Sequence, residues 1–515
     1  MSNYANLPTD WNLIYNPSLE ELDKMIEQMP NAKKTKYGNW NVATKVVSRS
    51  GPSTFMVSDK PEEHTIQCIS KAEGDKMAAM QNEYMSGKDM IVIDGYIGND
   101  PEFRVKARLI CEKSIANIAA MQKTMYYPLE SYENEGYKPE VTVIYTPNLE
   151  APGYANDRLI ASDVDCMVTR VFNTDYFGES KKSGLRMWNK MVYDRGGIPL
   201  HAGAKIVPTD SGEKTLLIIG LSGTGKTTTT FTSQNESRPV QDDFLALMPD
   251  GKVVATEAGC FAKTFGLNPE TEEAIYNATI DQKAYLENVS MNEEGEVDFF
   301  DTSYTKNGRS VFSLKAIPNA GKASEIKQAD ALIILNRNEN IIPSVAKLNA
   351  EQAAAYFMLG ETTGTSAGGA AEAGKALRIP GTNPFFPLLD DQQGNRVEEL
   401  LEKIDMKVYL MNTGRVGGQE SIEESKKVKI PHSSACVKGI AEGTIKWEED
   451  PDFGYMIASE VPGLDDMEIV QPKKLYERCG RMDEYNSMVA KLKTERLEYF
   501  KKYPKLNASI TEVFG

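Results

Sequence analysis

The chain has 515 residues, of which 41% are hydrophobic and 26% charged, a globular composition long enough for about two to four domains. No apolar run reaches the roughly 18 residues of a membrane span, and the opening MSNYANLPTDWNL lacks the basic start and apolar stretch of a secretory signal. A formal net charge of −16 argues against nucleic acid and anionic membrane as partners, while leaving room for a small basic pocket that takes an anionic substrate.

In chain order, Ser18 and Glu21 of SLEELDKMIEQM form a capping-box pattern, with Leu19, Leu22, Met25 and Ile26 following at helical spacing. Strand-like runs come next at 90–97 (MIVIDGYI), 141–147 (VTVIYTP) and 165–172 (DCMVTRVF), with a helical EKSIANIAAMQKTM between the first two. YDRGGIP, ahead of residue 200, reads as a hinge. A second group of strands covers 215–220 (TLLIIG), 331–336 (ALIILN) and 407–414 (KVYLMNTG). Helical NAEQAAAYFML leads into GETTGTSAGGAAEAGKA, residues 360–376, whose composition fits a surface linker or a mobile lid. The chain ends in an amphipathic helix with Tyr485, Val489, Leu492 and Tyr499 on one side. This mixture is α/β with more than one sheet.

The six cysteines are scattered with no C-x-x-C pair, as in reduced thiols of a cytoplasmic protein. Only His64, His201 and His432 are available as imidazole ligands, so a zinc site of His and Cys has little to draw on.

Residues 220–227, GLSGTGKT, match G-x-x-x-x-G-K-[ST]. Glycines there let backbone N–H groups turn toward phosphate oxygens, the lysine adds positive charge, and the threonine hydroxyl can hold a metal ion. The apolar TLLIIG runs into this loop and KTTTTFTS can begin a helix behind it. Leu221, Ser222, Gly223, Thr224, Gly225, Lys226, Thr227 and Thr228 are therefore candidate nucleotide contacts. Downstream, Asp242 and Asp243 in PVQDDFLAL are paired acids after a short apolar lead, the pattern of a second metal-holding element.

GLSGTGKTT followed by DD resembles the ATP-using phosphoenolpyruvate carboxykinases; the GTP-using branch has A-C-G-K-T in its loop. YFGESKKSG (176–184) resembles that family's Y-G-G-E-x-K-K-G segment. GIPLHAGAK carries His201 where the family has its histidine, and TKNGR (305–309) sits where the family has Asn-Thr-Arg. EAGCFAKT (257–264) and YLENV (285–289) are similar to further blocks, and the likeness spans almost the whole chain.

The resemblance implies a two-lobed α/β fold with mixed sheets and a P-loop nucleotide-binding C-terminal lobe. Lobes of 1–200 and 201–515, with a lid at about 360–376, fit this sequence. The implied reaction takes oxaloacetate and ATP to phosphoenolpyruvate, ADP and carbon dioxide. It implies that Lys182, His201 and Asp243 bind manganese and that Thr227 binds the magnesium of the nucleotide; Asp242 of the acid pair is a further metal candidate. Arg49, Tyr176 and Arg309 would face the organic acid and the transferring phosphoryl group, beside Ser222 and Lys226 of the loop. Lys263 and Glu272 would lie near the nucleotide, and Lys427 and Ser433 near its base. A metal-binding lysine must be neutral, and Lys181 beside Lys182 would help depress its pKa.

Several blocks depart from the family pattern. R-S-P-K-D is Arg49-Ser50-Gly51-Pro52-Ser53 here, Phe244 replaces the acid after the aspartate pair, and E-P-x-P-x-F-S has become GTNPFFPLL. The lid's T-A-K-L-A-G-T-E is replaced by the Gly/Ala stretch at 360–376. Three functions fit: the carboxykinase, an ATP-dependent kinase of a small hydroxy-carboxylate such as malate without decarboxylation, or a nucleotide sensor without turnover. A sensor has no need of two metal sites, and a monomer is the simplest assembly.

Overall fold

Buried residues directed to both faces in turn explain the sheet that carries the glycine-rich loop 220–227. In the strand Gly212–Ile219, Leu217 and Ile219 enter one apolar cluster while Leu216 and Ile218 enter another on the opposite face. The neighbouring Ala331–Asn336 does the same, with Leu332 and Ile334 on one side and Ile333 and Leu335 on the other. Such unbroken aliphatic runs belong to strands covered on both faces. These two strands and Lys407–Asn412 run parallel in the middle of an eight-stranded mixed sheet. Their carboxyl ends open together, where sheets of this kind take ligands. The computed structural model describes residues 3–129, 136–221, 223–326, 328–363 and 375–515. Ser222 and most of the lid candidate, 364–374, lie outside the described residues.

A second eight-stranded mixed sheet is built from residues 12–172. Asp89–Ile97 and Val141–Thr146 form the expected strands. The sequence reading passes over Val105–Glu112, which lies between them, antiparallel to the first and parallel to the second. The strand expected at 165–172 begins only at Val168. Asp163 Oδ1 accepts the backbone N–H groups of Asp165 and Cys166, closing a turn in which Met167 has φ +56°. Ser18 and Glu21 complete their capping box ahead of Leu19–Ile26. The helix Phe177–Asp194 adds Phe177, Leu185, Trp188 and Val192 to the core of this sheet.

A five-stranded sheet joins distant stretches, in the order Gly259–Lys263, Arg309–Ser313, Tyr285–Glu287, Trp40–Val42 and Ala32–Lys34. Trp40–Val42 runs parallel to Tyr285–Glu287, so residues before 200 share a sheet with residues well after it. Among the described residues no helix is long and apolar enough to cross a membrane.

The C-terminal helix Met482–Phe500 buries Tyr485 and Tyr499 as its apolar spacing predicts. It also buries Arg496, at 0% exposure. Its guanidinium donates to Glu361 Oε1 (3.1 Å), Glu361 Oε2 (2.7 Å) and the Tyr356 hydroxyl (3.1 Å), among the rings of Tyr356, Phe453 and Phe514. Glu361 also accepts from Arg378, across the antiparallel pair Glu361–Thr363 and Ala376–Arg378. Glu361→Ala strands the Arg496 charge in an apolar shell. It is expected to lower unfolding free energy by about 3–5 kcal/mol, read from urea denaturation; a change near zero would mean that water reaches the guanidinium.

Candidate active site

The glycine-rich loop leaves the strand end at Ile219. Gly223 and Gly225 both have φ +91°, a region that residues with a Cβ rarely adopt. Gly220 is restricted by space instead, since a Cβ there would stand 2.4 Å from Thr224 Oγ1. The Thr413 hydroxyl donates to the Thr224 carbonyl (2.6 Å), tying the loop to the end of Lys407–Asn412, the next strand but one in the sheet. Behind the loop, Lys226–Phe231 forms a short helix. Its far end is gripped by Lys205, a fully buried amine that donates to the carbonyls of Thr229 (2.7 Å) and Thr232 (2.9 Å) and to Gln234.

Asp243 is the centre of the site. It follows the strand Arg238–Gln241 and receives Lys181 (2.7 Å), Lys182, Lys226 and His201 Nε2 (2.8 Å) on one carboxylate. Burial would raise its pKa, but the three ammonium groups outweigh that and hold it well below the ordinary carboxylate range. Beside it, burial and then the Asp243 charge raise the pKa of Asp242, whose Oδ1 has no hydrogen-bond partner among the described residues.

The two lysines differ although they are adjacent on the Phe177–Asp194 helix. Lys181 also meets Glu257 (3.0 Å); burial disfavours its charge, but Asp243 and Glu257 more than compensate and raise its pKa. Burial pushes the Lys182 amine down to about 7 against the pull of Asp243, with Lys181 and Lys226 adding to the depression. The sequence reading credits Lys181 with this effect; desolvation is the larger cause.

His201 carries the test of whether a cation fits. Its Nδ1 stands 2.7 Å from the Thr382 carbonyl, which has no proton to give, so Nδ1 must be the protonated nitrogen. The Nε2 lone pair then faces Asp243 Oδ1 at 2.8 Å, acceptor against acceptor. The opposite tautomer only moves the conflict to Thr382. A second ring proton would relieve it, but burial, followed by the Lys226 charge, pushes the imidazole pKa down to about 3. A divalent cation shared by Nε2 and the carboxylate satisfies both, so Lys182, His201 and Asp243 suit one. Among the described residues, no cluster of three or more His, Cys, Asp or Glu side chains is arranged to hold a metal, so a site here needs the lysine.

The third group lies across the cavity. The Asn307 side-chain amide donates to the Tyr176 hydroxyl (3.1 Å) and to the Val47 carbonyl (2.7 Å), and its oxygen accepts from Arg309 (2.9 Å). One amide thus sets Tyr176, Arg309 and the chain just before Arg49 in fixed relation. The Arg49 guanidinium lies 5.2 Å from the centre of the Phe385 ring. Gly178 lets the Tyr176 ring close on the first turn of its helix; a Cβ there would be 2.4 Å from Tyr176 Cε1.

One cavity of about 400 Å³ is lined by Arg49, Tyr176, Lys182, His201, Asp242, Asp243, Arg309, Lys263, Glu272 and loop residues Leu221, Gly223, Gly225, Lys226, Thr227 and Thr228. Lys181 is buried behind its wall. Lys427 and Ser433 do not reach it. They line a second cavity of about 480 Å³, which shares Gly223, Gly225, Thr228, Glu272 and Arg337 with the first and adds Thr224. The Thr228 hydroxyl donates to Glu272 (2.6 Å) where the two meet.

A family model described as "Phosphoenolpyruvate carboxykinase", of the ATP type, matches residues 11–467. The chain belongs to the ATP-dependent phosphoenolpyruvate carboxykinase family. Its relatives are distant but nearly full length. A "Phosphoenolpyruvate carboxykinase (ATP)" of Alkaliphilus oremlandii (strain OhILAs) is 29% identical, covering 97% of this chain and 95% of its own. A protein of the same name from Rhodopseudomonas palustris (strain TIE-1) is 30% identical over 84% of this chain and 82% of its own. "Phosphoenolpyruvate carboxykinase (ATP) 1" of Moorella thermoacetica (strain ATCC 39073 / JCM 9320) is 29% identical over 87% and 84%.

Within this carboxykinase-family site, sequence reasoning missed Glu257, Asn307, Thr382 and Phe385. Glu257 and Asn307 sit inside blocks that carried the resemblance, so a partner for Lys181 and for Arg309 could have been sought there. Thr382 and Phe385 lie in the rewritten GTNPFFPLL, where no motif pointed to them.

Glu287 supports the site from below, accepting the Phe177 N–H (2.8 Å) at the start of the lysine-bearing helix. Burial pushes its carboxyl from 4.5 up to about 8. The folded chain then holds a proton that the unfolded chain gives up, so this group's stabilisation is lost as pH rises between those values. Glu287→Gln is expected to flatten the fall of the urea midpoint across that range; parallel curves for the two proteins would place the native carboxyl in its ionised form.

Proposed function

We propose that the chain converts oxaloacetate and ATP into phosphoenolpyruvate, ADP and carbon dioxide, with Lys182, His201 and Asp243 holding Mn2+ and Thr227, beside Asp242, serving the Mg2+ of the nucleotide. The observation that carries this reading is the meeting of Lys182, His201 and Asp243 with the phosphate-loop lysine, Lys226, in one cavity that also contains Arg49, Tyr176 and Arg309. The names of the relatives point the same way.

In this reading Arg49 takes a carboxylate of the organic acid, and Tyr176 and Arg309, locked together through Asn307, orient the reacting end. Lys182, His201 and Asp243 would hold a divalent ion, which would supply Lewis acidity for the oxygen that becomes negative as carbon dioxide leaves. Lys226 and Arg309 offset charge on the phosphoryl group in flight, and holding both reactants in line supplies much of the rate. Lys226, which contacts the Asp243 carbonyl and carboxylate, stands where the phosphate oxygens of the nucleotide would meet it. Glu272, Lys263, Lys427 and Ser433 line the path along which the rest of the nucleotide runs. Residues 1–200 form the substrate-side lobe and 201–515 the nucleotide lobe, with 32–42 strapped onto the latter and 360–376 as the lid.

Phosphorus NMR of the chain with ATP, both metals and oxaloacetate is expected to show phosphoenolpyruvate, with release of carbon dioxide. A phosphorylated hydroxy-acid from malate without gas would replace this reading with a hydroxy-carboxylate kinase, and ATP binding without any product would leave a sensor. Lys226→Ala is expected to lower kcat by ~100-fold or more, the loss of one preorganised charge donor. Wild-type turnover in that variant would remove the lysine from the reaction.

A further inference from the structure

His201 does not point its lone pair at Asp243 unaided. The carbonyl that fixes its tautomer belongs to Thr382, in the turn Pro380–Thr382. Thr382 has φ +51°, a conformation that a β-branched residue holds only when its surroundings impose it. The turn is closed by the Thr382 N–H on the Ile379 carbonyl (2.9 Å) and the Asn383 N–H on the Pro380 carbonyl (3.1 Å), and the Asn383 side chain anchors it to its surroundings. Asn383 is 1% exposed, and its side-chain amide donates to Asn189 Oδ1 (2.7 Å) and, more weakly, to the Pro199 carbonyl (3.5 Å). Its side-chain oxygen accepts the Phe385 N–H (3.2 Å).

Those partners lie on the two elements that carry the nitrogen donors. Asn189 is two turns beyond Lys182 on the Phe177–Asp194 helix, and Pro199 is two residues before His201. Phe385, held by the same asparagine, meets the imidazole edge-on (5.9 Å, 87°), while Phe244 stacks on its face (4.9 Å, 25°). The Lys182 ammonium sits 4.6 Å from the centres of both rings.

We infer that Asn383 is a positioning residue for the metal site, setting the Nε2 of His201 and the amine of Lys182 in register through the Thr382 carbonyl and the Phe385 ring. The inference rests on the proposed reading of His201 and Lys182 as metal ligands. Outer-shell groups of this kind hold a ligating imidazole in one tautomer and orientation. Phe244 and the GTNPFFPLL block depart from the family pattern together, and in the fold they meet on the two sides of one imidazole. They form a replacement scaffold for the same donors.

The test is a titration of the nucleotide-free full-length chain with Mn2+, followed by the EPR signal of the free ion. Asn383→Ala is expected to weaken Mn2+ binding by roughly 10–100-fold, with calorimetric Mg-ATP binding unchanged. In turnover, the apparent KM for Mn2+ should rise, with kcat largely recovered at saturating metal. Unchanged Mn2+ affinity in the folded variant overturns the inference, and so does an equal loss of Mn2+ and ATP binding, which would mean general loosening. Should Asn383→Ala fail to fold, Asn383→Ser, which keeps an acceptor near the Phe385 amide but cannot reach Asn189, carries the same expectation and the same refutation. His201→Ala separates the two readings: unchanged Mn2+ binding there removes the metal site itself and the inference with it. Full loss in His201→Ala, with none in Asn383→Ala, overturns the inference alone.

Discussion

A single buried carboxylate, Asp243, faces three ammonium groups and an imidazole. Everything else in the cavity is arranged around that imbalance. Like charges this close repel strongly when water is excluded, so each lysine needs its own relief. Lys181 finds it in Glu257, Lys226 in the backbone and side chain of Asp243, and Lys182 in the readiness of its amine to lose a proton. The excess of positive charge suits a reaction whose reactants are anions. It also explains how a chain with net charge −16 can receive them: the local field at the cavity opposes the sign of the whole surface.

The sheets were largely legible because their strands are aliphatic runs such as Leu216 to Ile219, in which every residue is buried. Val105–Glu112 was not, because VKARLICE alternates only in its first half and is continuously buried in its second, so neither strand pattern runs through the whole segment. The five-stranded sheet was hidden for another reason. Ala32–Lys34 and Trp40–Val42 are three residues each, too short for any periodicity; they pair with each other, and the second strand's other partner, Tyr285–Glu287, lies more than two hundred residues away. Arg496 was invisible because an arginine at an apolar helix position reads as surface until its Glu361 partner is seen.

For the site, motif spacing led to Lys226 and Asp243, and the family resemblance led to Lys182 and His201, which the residues alone would leave as a solvated lysine and a structural histidine. Neither could lead to the groups that hold them. Asn307 and Asn383 act by bridging elements remote in sequence, and an asparagine carries no local mark of such a role. Phe244 and Phe385 were readable only as departures from a pattern; that they close on one imidazole is a fact of packing.

The strand Trp40–Val42 has a consequence for how the molecule can be divided. It covers the flank of Tyr285–Glu287, the strand next to the one that begins with Arg309. Cutting the polypeptide near residue 200 and producing the halves separately would leave that flank as a bare, adhesive edge in the C-terminal piece. The two halves are therefore better regarded as one cooperative fabric than as modules to be exchanged between enzymes.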